Sequence, residues 1–264
     1  MGSSAVVTGA ARGFGKEIAR RLVARGHRVL ITDLDAEAVG AAAEELGSAC
    51  TGIVADARSA ADHRAAAAAA AELGPVEVWV NTAGVLRAGK VWELTDEQVG
   101  LQVEVNLLGV VHGSRAAVGA MRLRGGHLLN VASMSAHGPV PGLAVYAATK
   151  AAVLAFTTSL AGDLALAGLP IRAHALCPDA ADTALVRDEQ AHEDTAILFS
   201  RPTLLTPDAV ADAAMALLSG RRIVRSLPAA RAGLARVGGL LPRIGLPVLA
   251  RLRAQGDRRR VAGS

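Results

Sequence analysis

The chain has 264 residues, of which 52% are hydrophobic, 20% are charged and only 2% are aromatic. This composition predicts a compact folded protein, and so few rings argue against a protein that stacks nucleic-acid bases on aromatic platforms. The net charge of +4 is unevenly spread, because residues 221–264 hold eleven arginines and one acid, Asp257, whereas the preceding residues are mildly acidic.

The spacing of the cysteines and histidines bears on whether the protein binds a metal, and the composition of the N-terminus bears on where the protein is located. Cys50 and Cys177 show neither a disulfide framework nor metal-ligand spacing, and the seven histidines are scattered, so we expect no metal site. The chain enters an apolar run at once, without the charged region that opens a signal peptide. We also expect no stretch that is long and apolar enough to span a bilayer. These features together predict a cytoplasmic protein.

Short apolar runs alternate with longer segments of helical periodicity along the chain. Strands are predicted at residues 4–8, 28–32, 49–54, 76–80, 127–132, 171–176 and 223–226. Helices are predicted at residues 14–25, 36–46, 59–73, 96–121, 145–167 and 207–218. Fully apolar strands that alternate with helices predict an α/β fold, namely a Rossmann-type doubly wound parallel sheet of about seven strands. Residues 1–226 would form this single dinucleotide-binding domain.

A glycine-rich turn lies between the first strand and the first helix, in Thr8-Gly9-Ala10-Ala11-Arg12-Gly13-Phe14-Gly15. Glycines allow a tight turn and a close approach of the backbone to a ligand, and the helix that follows offers unpaired N–H groups to a pyrophosphate. Glycine clusters also occur in ordinary turns, but the strand before and the helix after favour a dinucleotide site. The predicted contacts are Gly9, Arg12, Gly13, Phe14 and Gly15.

The end of the second strand carries an acid that bears on the choice of cofactor. Asp33 follows Gly15 by 18 residues. A carboxylate there can accept hydrogen bonds from the adenosine ribose hydroxyls and would repel a 2′-phosphate, which favours NAD over NADP. Arg12 is a counter-signal, because an arginine could bind a 2′-phosphate. The alternative for Asp33 is a residue that simply forms the turn after the strand.

Tyr146 is the only tyrosine and lies four residues before Lys150, one of three lysines. This spacing places both side chains on one face of a helix, one turn apart. A tyrosine pKa must fall by about three units to act near neutrality, and a cation about 4 Å away could supply about 4 kcal/mol toward this. The alternative is an ordinary contact on a helix surface.

Further motifs accompany this pair in a fixed order. They are the glycine turn, Asn81-Thr82-Ala83-Gly84, Asn106 and Ser133. In order and spacing they resemble the classical short-chain dehydrogenase/reductase family, over residues 3–226. The resemblance implies an NAD(P)-dependent oxidoreductase that acts on CH–OH groups and is a homo-oligomer.

The resemblance also implies a role for each catalytic residue. Tyr146 would be the acid/base, and Lys150 would support it and bind the nicotinamide ribose. Ser133 would form a hydrogen bond to the reacting oxygen of the substrate, with Ser135 as a rival two residues away. Asn106 would hold a water in a proton relay.

The family pattern implies further contacts with the cofactor. Asp56 would contact the adenine ring and Thr183 the carboxamide. The remaining implied contacts are Ala57, Asn81, Ala83, Gly84, Tyr146, Lys150 and Pro178. One departure is visible, because Asp179 follows Pro178 where the family usually has glycine. Asp179 is bulkier and would add a negative charge near the nicotinamide.

The substrate pocket is predicted outside the carboxyl ends of the strands. Its candidate lining is residues 137–143, which are apolar apart from His137, and residues 184–205, which mix acids with apolar side chains. This predicts a hydrophobic secondary alcohol or ketone, such as a lipid-, steroid- or terpenoid-like molecule. The alternatives are a catalytically silent NAD-binding regulator and a lipid-surface binding protein.

Residues 227–264 form a basic amphipathic C-terminal extension in which leucines alternate with arginines. Pro242 and Pro247 are expected to break it into short pieces. It could attach peripherally to an anionic membrane surface, or its apolar face could pack on the body of the protein or on a second subunit. No motif supports nucleic-acid binding.

Overall fold

A parallel sheet of seven strands forms the centre of the computed structural model, which describes residues 2–262. The strand order is β3-β2-β1-β4-β5-β6-β7, so the order reverses between β1 and β4. The strands are β1 (Ser4–Thr8), β2 (Arg28–Asp33), β3 (Cys50–Val54), β4 (Val76–Asn81), β5 (Gly126–Val131), β6 (Ile171–Pro178) and β7 (Val224–Leu227). The predicted Rossmann-type fold in a single domain is confirmed.

Helices cover both faces of the sheet. They are α1 (Gly13–Ala24), α2 (Ala36–Leu46), α3 (Ala60–Leu73), α4 (Asp96–Val103), α5 (Gly109–Met121), α6 (Ala144–Leu166), α7 (Ala184–Arg187), α8 (Pro207–Leu218), α9 (Ala229–Leu240) and α10 (Pro242–Ala262). Successive strand residues point to opposite faces, so Val7 packs with α1, α2 and α8, and Val6 packs with α3, α5 and α6. Each face therefore has its own apolar core.

Two helices differ from the sequence predictions. The segment predicted as one helix over residues 96–121 contains a π-helical turn, Glu104–Leu108, between α4 and α5. Helix α6 is long and apolar enough to cross a membrane by length and composition, contrary to the expectation that no segment would be. It packs against β6 and contains the buried Lys150, and 28% of its apolar window is buried in the structure.

The C-terminal extension forms two helices rather than short pieces. Pro242 begins α10, whereas Pro247 lies inside it. Pro247 is the sixth residue of α10, beyond the first four N–H groups that have no partner within a helix, so it removes one hydrogen bond of the helix. Leu249 and Leu252 of α10 pack against the body next to Leu143, which compensates for the loss.

Candidate active site

A cavity of about 650 Å³ opens at the carboxyl ends of the strands, where the strand order reverses. Fifteen of the residues predicted from the sequence line it: Gly9, Arg12, Gly13, Phe14, Gly15, Asp33, Asp56, Ala57, Ala83, Gly84, Ser133, Tyr146, Lys150, Pro178 and Thr183. The side chains of Asn81 and Asn106 are buried behind its wall. The fold therefore brings together motifs that lie up to 174 positions apart, from Gly9 to Thr183.

The glycine turn requires glycine for two separate reasons. Gly9 and Gly13 have positive φ angles of 62° and 59°, which other residues rarely adopt. A Cβ atom on Gly9 would lie 2.5 Å from the Cα of Ala83, and one on Gly15 would lie 2.5 Å from the carbonyl oxygen of Gly9. The turn thus packs directly on the segment that follows β4, and both meet at the cavity.

The start of α1 fits a phosphate group. Arg12 is the N-cap residue, its side chain makes no capping hydrogen bond, and the first turn carries no acid. The first N–H groups of the helix, with its positive dipole end, therefore remain available to an anion at the cavity wall. Thr183 lies opposite, because a Cβ on Gly13 would come within 3.6 Å of its methyl carbon.

Two carboxylates mark the other end of this groove. Asp33 accepts hydrogen bonds from the backbone N–H groups of Ala11 (3.1 Å) and Leu34 (2.9 Å), which hold its side chain between the glycine turn and β2. The Asp56 carboxylate pairs with the guanidinium of Arg58 at 2.6 Å, and this hydrogen bond lowers the pKa of Asp56. Both carboxylates line the cavity, so the residues present fit an adenine dinucleotide.

Asn81 was predicted to contact the cofactor, but its side chain lies in the interior of the sheet. Its Oδ1 accepts a hydrogen bond from the indole N–H of Trp79 (2.8 Å), and its Nδ2 donates to Asn130 Oδ1 (2.8 Å). The side chain therefore joins β4 to β5 in the interior instead of contacting the cavity, because all its polar groups are already used there. Ala83 and Gly84 provide the cavity wall after this strand.

Ser133, Tyr146 and Lys150 meet in the cavity wall. The Ser133 hydroxyl forms a hydrogen bond with the phenol of Tyr146. Burial raises the pKa of Tyr146 to about 12, and the bond to Ser133 opposes this rise. Lys150 Nζ donates to the carbonyl oxygen of Val131 (3.1 Å) and lies 5.7 Å from the centre of the Tyr146 ring. Burial lowers the pKa of Lys150 to about 8.

The surroundings of Tyr146 and Lys150 bear on the predicted acid/base role of the phenol. The two side chains are not a surface contact, since both line the cavity. Burial raises the pKa of the phenol more than the Ser133 hydroxyl lowers it, and Lys150, at 5.7 Å from the centre of the ring, does not reverse this shift. In the protein chain alone, Tyr146 is a neutral acid at neutral pH.

Asn106 lies in the π-helical turn and is fully buried. Its Oδ1 accepts a hydrogen bond from the N–H of Val85 (2.8 Å), and its Nδ2 donates to the Val85 carbonyl oxygen (2.8 Å). A Cβ on Gly84 would lie 3.3 Å from Asn106 Oδ1 and 3.5 Å from Lys150 Nζ, so these two side chains are neighbours. Asn106 holds the segment after β4 in place, and its role in a water relay stays a prediction.

The rival serine and the predicted pocket histidine have different surroundings. The backbone N–H of Ser135 donates to Ser133 Oγ (3.2 Å), whereas the Ser135 hydroxyl is buried without a partner among the described residues. Contact with the Tyr146 phenol therefore favours Ser133. His137 pairs through Nε2 with Ser226 Oγ of β7 (2.8 Å) and is not among the lining residues.

Asp179, which the family pattern leaves unexplained, pairs with the C-terminal extension. Its carboxylate lies 3.1 Å from the guanidinium of Arg231 on α9 and 3.8 Å from that of Arg201, and it is 11% exposed. A glycine at this position could not form these ion pairs. The aspartate that stands in place of the usual glycine therefore holds the C-terminal extension to the body of the protein.

The substrate end of the cavity is apolar, and the extension supplies one of its walls. The apolar lining residues are Leu86, Val140, Leu143, Leu185, Ile197, Leu198, Leu234, Ile244, Val248, Leu249 and Leu252. Sequence reasoning placed residues 137–143 and 184–205 here but missed the extension. Its leucine spacing indicated an apolar face, yet nothing in the sequence identified the surface on which this face packs.

Comparison with known proteins places this arrangement in a family. The short chain dehydrogenase family model matches residues 3–194. The 1-deoxy-11-beta-hydroxypentalenate dehydrogenase of Streptomyces avermitilis is 36% identical over 228 residues, which cover 83% of this chain and 82% of that protein.

Two solved structures share the fold. A short chain dehydrogenase/reductase from Burkholderia phymatum in complex with NAD aligns with a TM-score of 0.82 at 28% identity, covering 89% of this chain and 92% of that one. A single-residue variant of the actinorhodin polyketide ketoreductase with NADPH aligns with a TM-score of 0.74 at 34% identity, covering 88% and 92%. The chain therefore belongs to the short-chain dehydrogenase/reductase family and is an NAD(P)-dependent oxidoreductase that acts on CH–OH groups.

Proposed function

We propose that the protein interconverts a hydrophobic secondary alcohol and its ketone with NAD(H). The observation that carries this proposal is a single cavity with two contrasting ends. One end presents the Ser133–Tyr146–Lys150 cluster and the glycine turn, and the other is lined by leucine, isoleucine and valine side chains. A lipid-, steroid- or terpenoid-like molecule would bury its carbon skeleton there with its oxygen at the phenol.

The nicotinamide supplies the hydride chemistry at the substrate carbon. In the reducing direction Tyr146 gives its proton to the carbonyl oxygen, and Ser133 donates a hydrogen bond to the same oxygen. A phenol whose pKa burial has raised to about 12 is fully protonated at neutral pH and ready for this step. In the oxidising direction Tyr146 must lose a proton first, and the charged form of the neighbouring Lys150 favours the phenolate.

The charges around the cavity support an uncharged substrate. Arg87 pairs with Glu189 at 3.1 Å, and Arg231 pairs with Asp179 at 3.1 Å. These two lining arginines are therefore already neutralised, and a substrate carboxylate would gain little from either. The relative named as a dehydrogenase of 1-deoxy-11-beta-hydroxypentalenate acts, by that name, on a hydroxy acid, so its similarity supports an alcohol as the reacting group and does not bear out the absence of charge.

The preference for NAD rests on Asp33. Its carboxylate is held by two backbone N–H groups at the cavity wall, where it would accept bonds from a ribose diol and repel a phosphate. Arg12 is exposed at the rim and is the group that could oppose this preference. A cytoplasmic location, which the unpaired Cys50 and Cys177 support, and a homo-oligomeric assembly complete the proposal.

A panel of apolar alcohols and ketones, assayed with NAD(H) and NADP(H) side by side, tests the reaction. We expect turnover of at least one member, with NAD(H) preferred. Tyr146→Phe should lower kcat by about a thousandfold or more, while the protein should still bind the cofactor, as followed by fluorescence titration. Retained turnover in this variant would overturn the mechanism. Cofactor binding without turnover of any panel member would instead favour the silent regulator.

The cofactor preference has its own test. Asp33→Ser removes the charge that repels a 2′-phosphate and should raise the NADP-to-NAD ratio of kcat/KM by about tenfold. Arg12→Ser is the matched control on the opposite side of the groove and should lower that ratio. Preference for NADP in the unmodified protein would contradict the proposed role of Asp33.

A further inference from the structure

We propose that the corner between α9 and α10 docks on the surface of an anionic phospholipid bilayer, with the mouth of the active-site cavity at the contact. The α9–α10 corner comprises residues 234–246. Its six large apolar side chains are all exposed, and Leu240 is 80% exposed: Leu234, Val237, Leu240, Leu241, Ile244 and Leu246. Exposed leucines are ordinary when scattered, but six within thirteen consecutive positions form a patch.

The patch continues into the active-site cavity. Leu234, Val237 and Ile244 are each about half exposed or more and also line the cavity, so they form part of its rim. The two helices approach closely there, because a Cβ on Gly245 would lie 2.6 Å from the Cα of Gly238. This approach brings the end of α9 and the start of α10 into one surface.

The corner is held rigidly by the rest of the extension. Asp194 is fully buried and pairs with Arg253 of α10 at 2.5 Å, and Asp179 pairs with Arg231 of α9 at 3.1 Å. Leu252 packs into the apolar end of the cavity. Ion pairs and apolar contacts therefore fix both helices, while the corner between them remains exposed to solvent.

The charge of the extension favours a lipid surface as the occupant. Arg236, Arg243 and Arg251 are exposed on the same two helices. An anionic leaflet attracts arginines that flank an apolar patch. A second copy of the chain is the competing occupant, but a two-fold contact places this surface against itself and would bring two sets of these arginines into one interface.

This contact would give a lipid-dissolved substrate a direct route into the cavity. The route rests on the function proposed above, whereas the docking itself does not depend on which molecule is turned over. The docking test therefore uses vesicles and no substrate, so its failure is distinguishable from failure of the proposed reaction.

Flotation of the full-length protein with vesicles is the decisive measurement. We expect binding to vesicles of phosphatidylcholine mixed with phosphatidylglycerol, weaker binding to phosphatidylcholine alone, and a loss of binding at high salt. Leu240→Glu combined with Leu246→Glu should lower the vesicle affinity by at least about tenfold. Neither residue lines the cavity, so NADH binding should be unchanged.

The matched control is Leu123→Glu combined with Leu166→Glu. Both leucines are 90% exposed and lie near the amino ends of β5 and β6, at the edge of the sheet opposite the cavity. This control should bind vesicles as the unmodified protein does. No binding to anionic vesicles, or an equal loss in both double variants, overturns the proposal. So does a concentration-dependent dimer, seen by analytical ultracentrifugation, that only the corner variant abolishes.

Discussion

The two ends of the active-site cavity are built in different ways. The cofactor end consists of short segments at the ends of neighbouring strands, where glycines let backbone approach backbone within a few ångströms. The substrate end consists of side chains from distant parts of the chain, and ion pairs such as Asp194–Arg253 hold its outer wall.

This difference predicts which positions of the cavity tolerate a substitution and which do not. At the cofactor end a single added methyl group meets backbone atoms that cannot move without shifting a strand. At the substrate end, apolar side chains can exchange for one another with adjustments of volume, so specificity can change there while the reaction is retained. Three substitutions test this contrast, beginning with the largest expected effect.

Gly9→Ala should damage the cofactor end most. The new Cβ would lie 2.5 Å from the Cα of Ala83, and the residue would keep a positive φ of 62°. Strain and overpacking together should lower the free energy of unfolding by about 4 kcal/mol, measured by chemical denaturation, and abolish NADH binding.

Gly40→Ala in α2 is the matched control, because a Cβ there meets nothing within 4 Å. It should raise the free energy of unfolding by about 0.5–1 kcal/mol, as alanine favours a helix interior. Equal effects of the two substitutions would show that the close approach at Gly9 is unimportant.

Arg253→Met should damage the substrate end and spare the cofactor end. It leaves the carboxylate of Asp194 fully buried without its ion-pair partner Arg253. We expect the free energy of opening of α10 to fall by about 3 kcal/mol, measured as faster hydrogen exchange of its amides. Hydrogen exchange in α1 and the affinity for NADH should remain unchanged. Arg251→Met, an exposed neighbour, is the control. A fall in NADH affinity would mean that the two ends are coupled.

Lys150 lies where the two ends meet, and its pKa predicts a pH dependence. Burial lowers this pKa from 10.5 to about 8, so above pH 8 the unfolded chain keeps a proton that the native protein has lost. Stability contributed by this group therefore rises with pH, by about 2 kcal/mol over the two units above pH 8.

Denaturation of the unmodified protein and of Lys150→Met from pH 8 to 10 measures this contribution. The difference between the two curves reports Lys150 together with its coupling to Cys177, whereas Cys50, whose pKa burial raises to about 11, titrates in both proteins. Parallel curves would show that Lys150 keeps its charge when folded.

Much of the cofactor end could be predicted from the sequence because its determinants are local. The strand, the glycine turn and the helix follow one another within residues 4–24, and the predicted boundaries of α2 and α8 agree with the structure to the residue. Asn81 could not be placed, because its partners Trp79 and Asn130 are specified by packing between strands and not by spacing.

The alternation of strands and helices, the family and the residues that meet around Tyr146 could all be inferred from the sequence, because periodicity and short motifs reflect local geometry. Three features became visible only in the folded protein: Asp179 pairs with Arg231, α10 closes the apolar end of the cavity, and burial raises the pKa of Tyr146. Ion pairing, packing and desolvation depend on which distant segments come together. The spacing of residues along the chain does not specify those contacts.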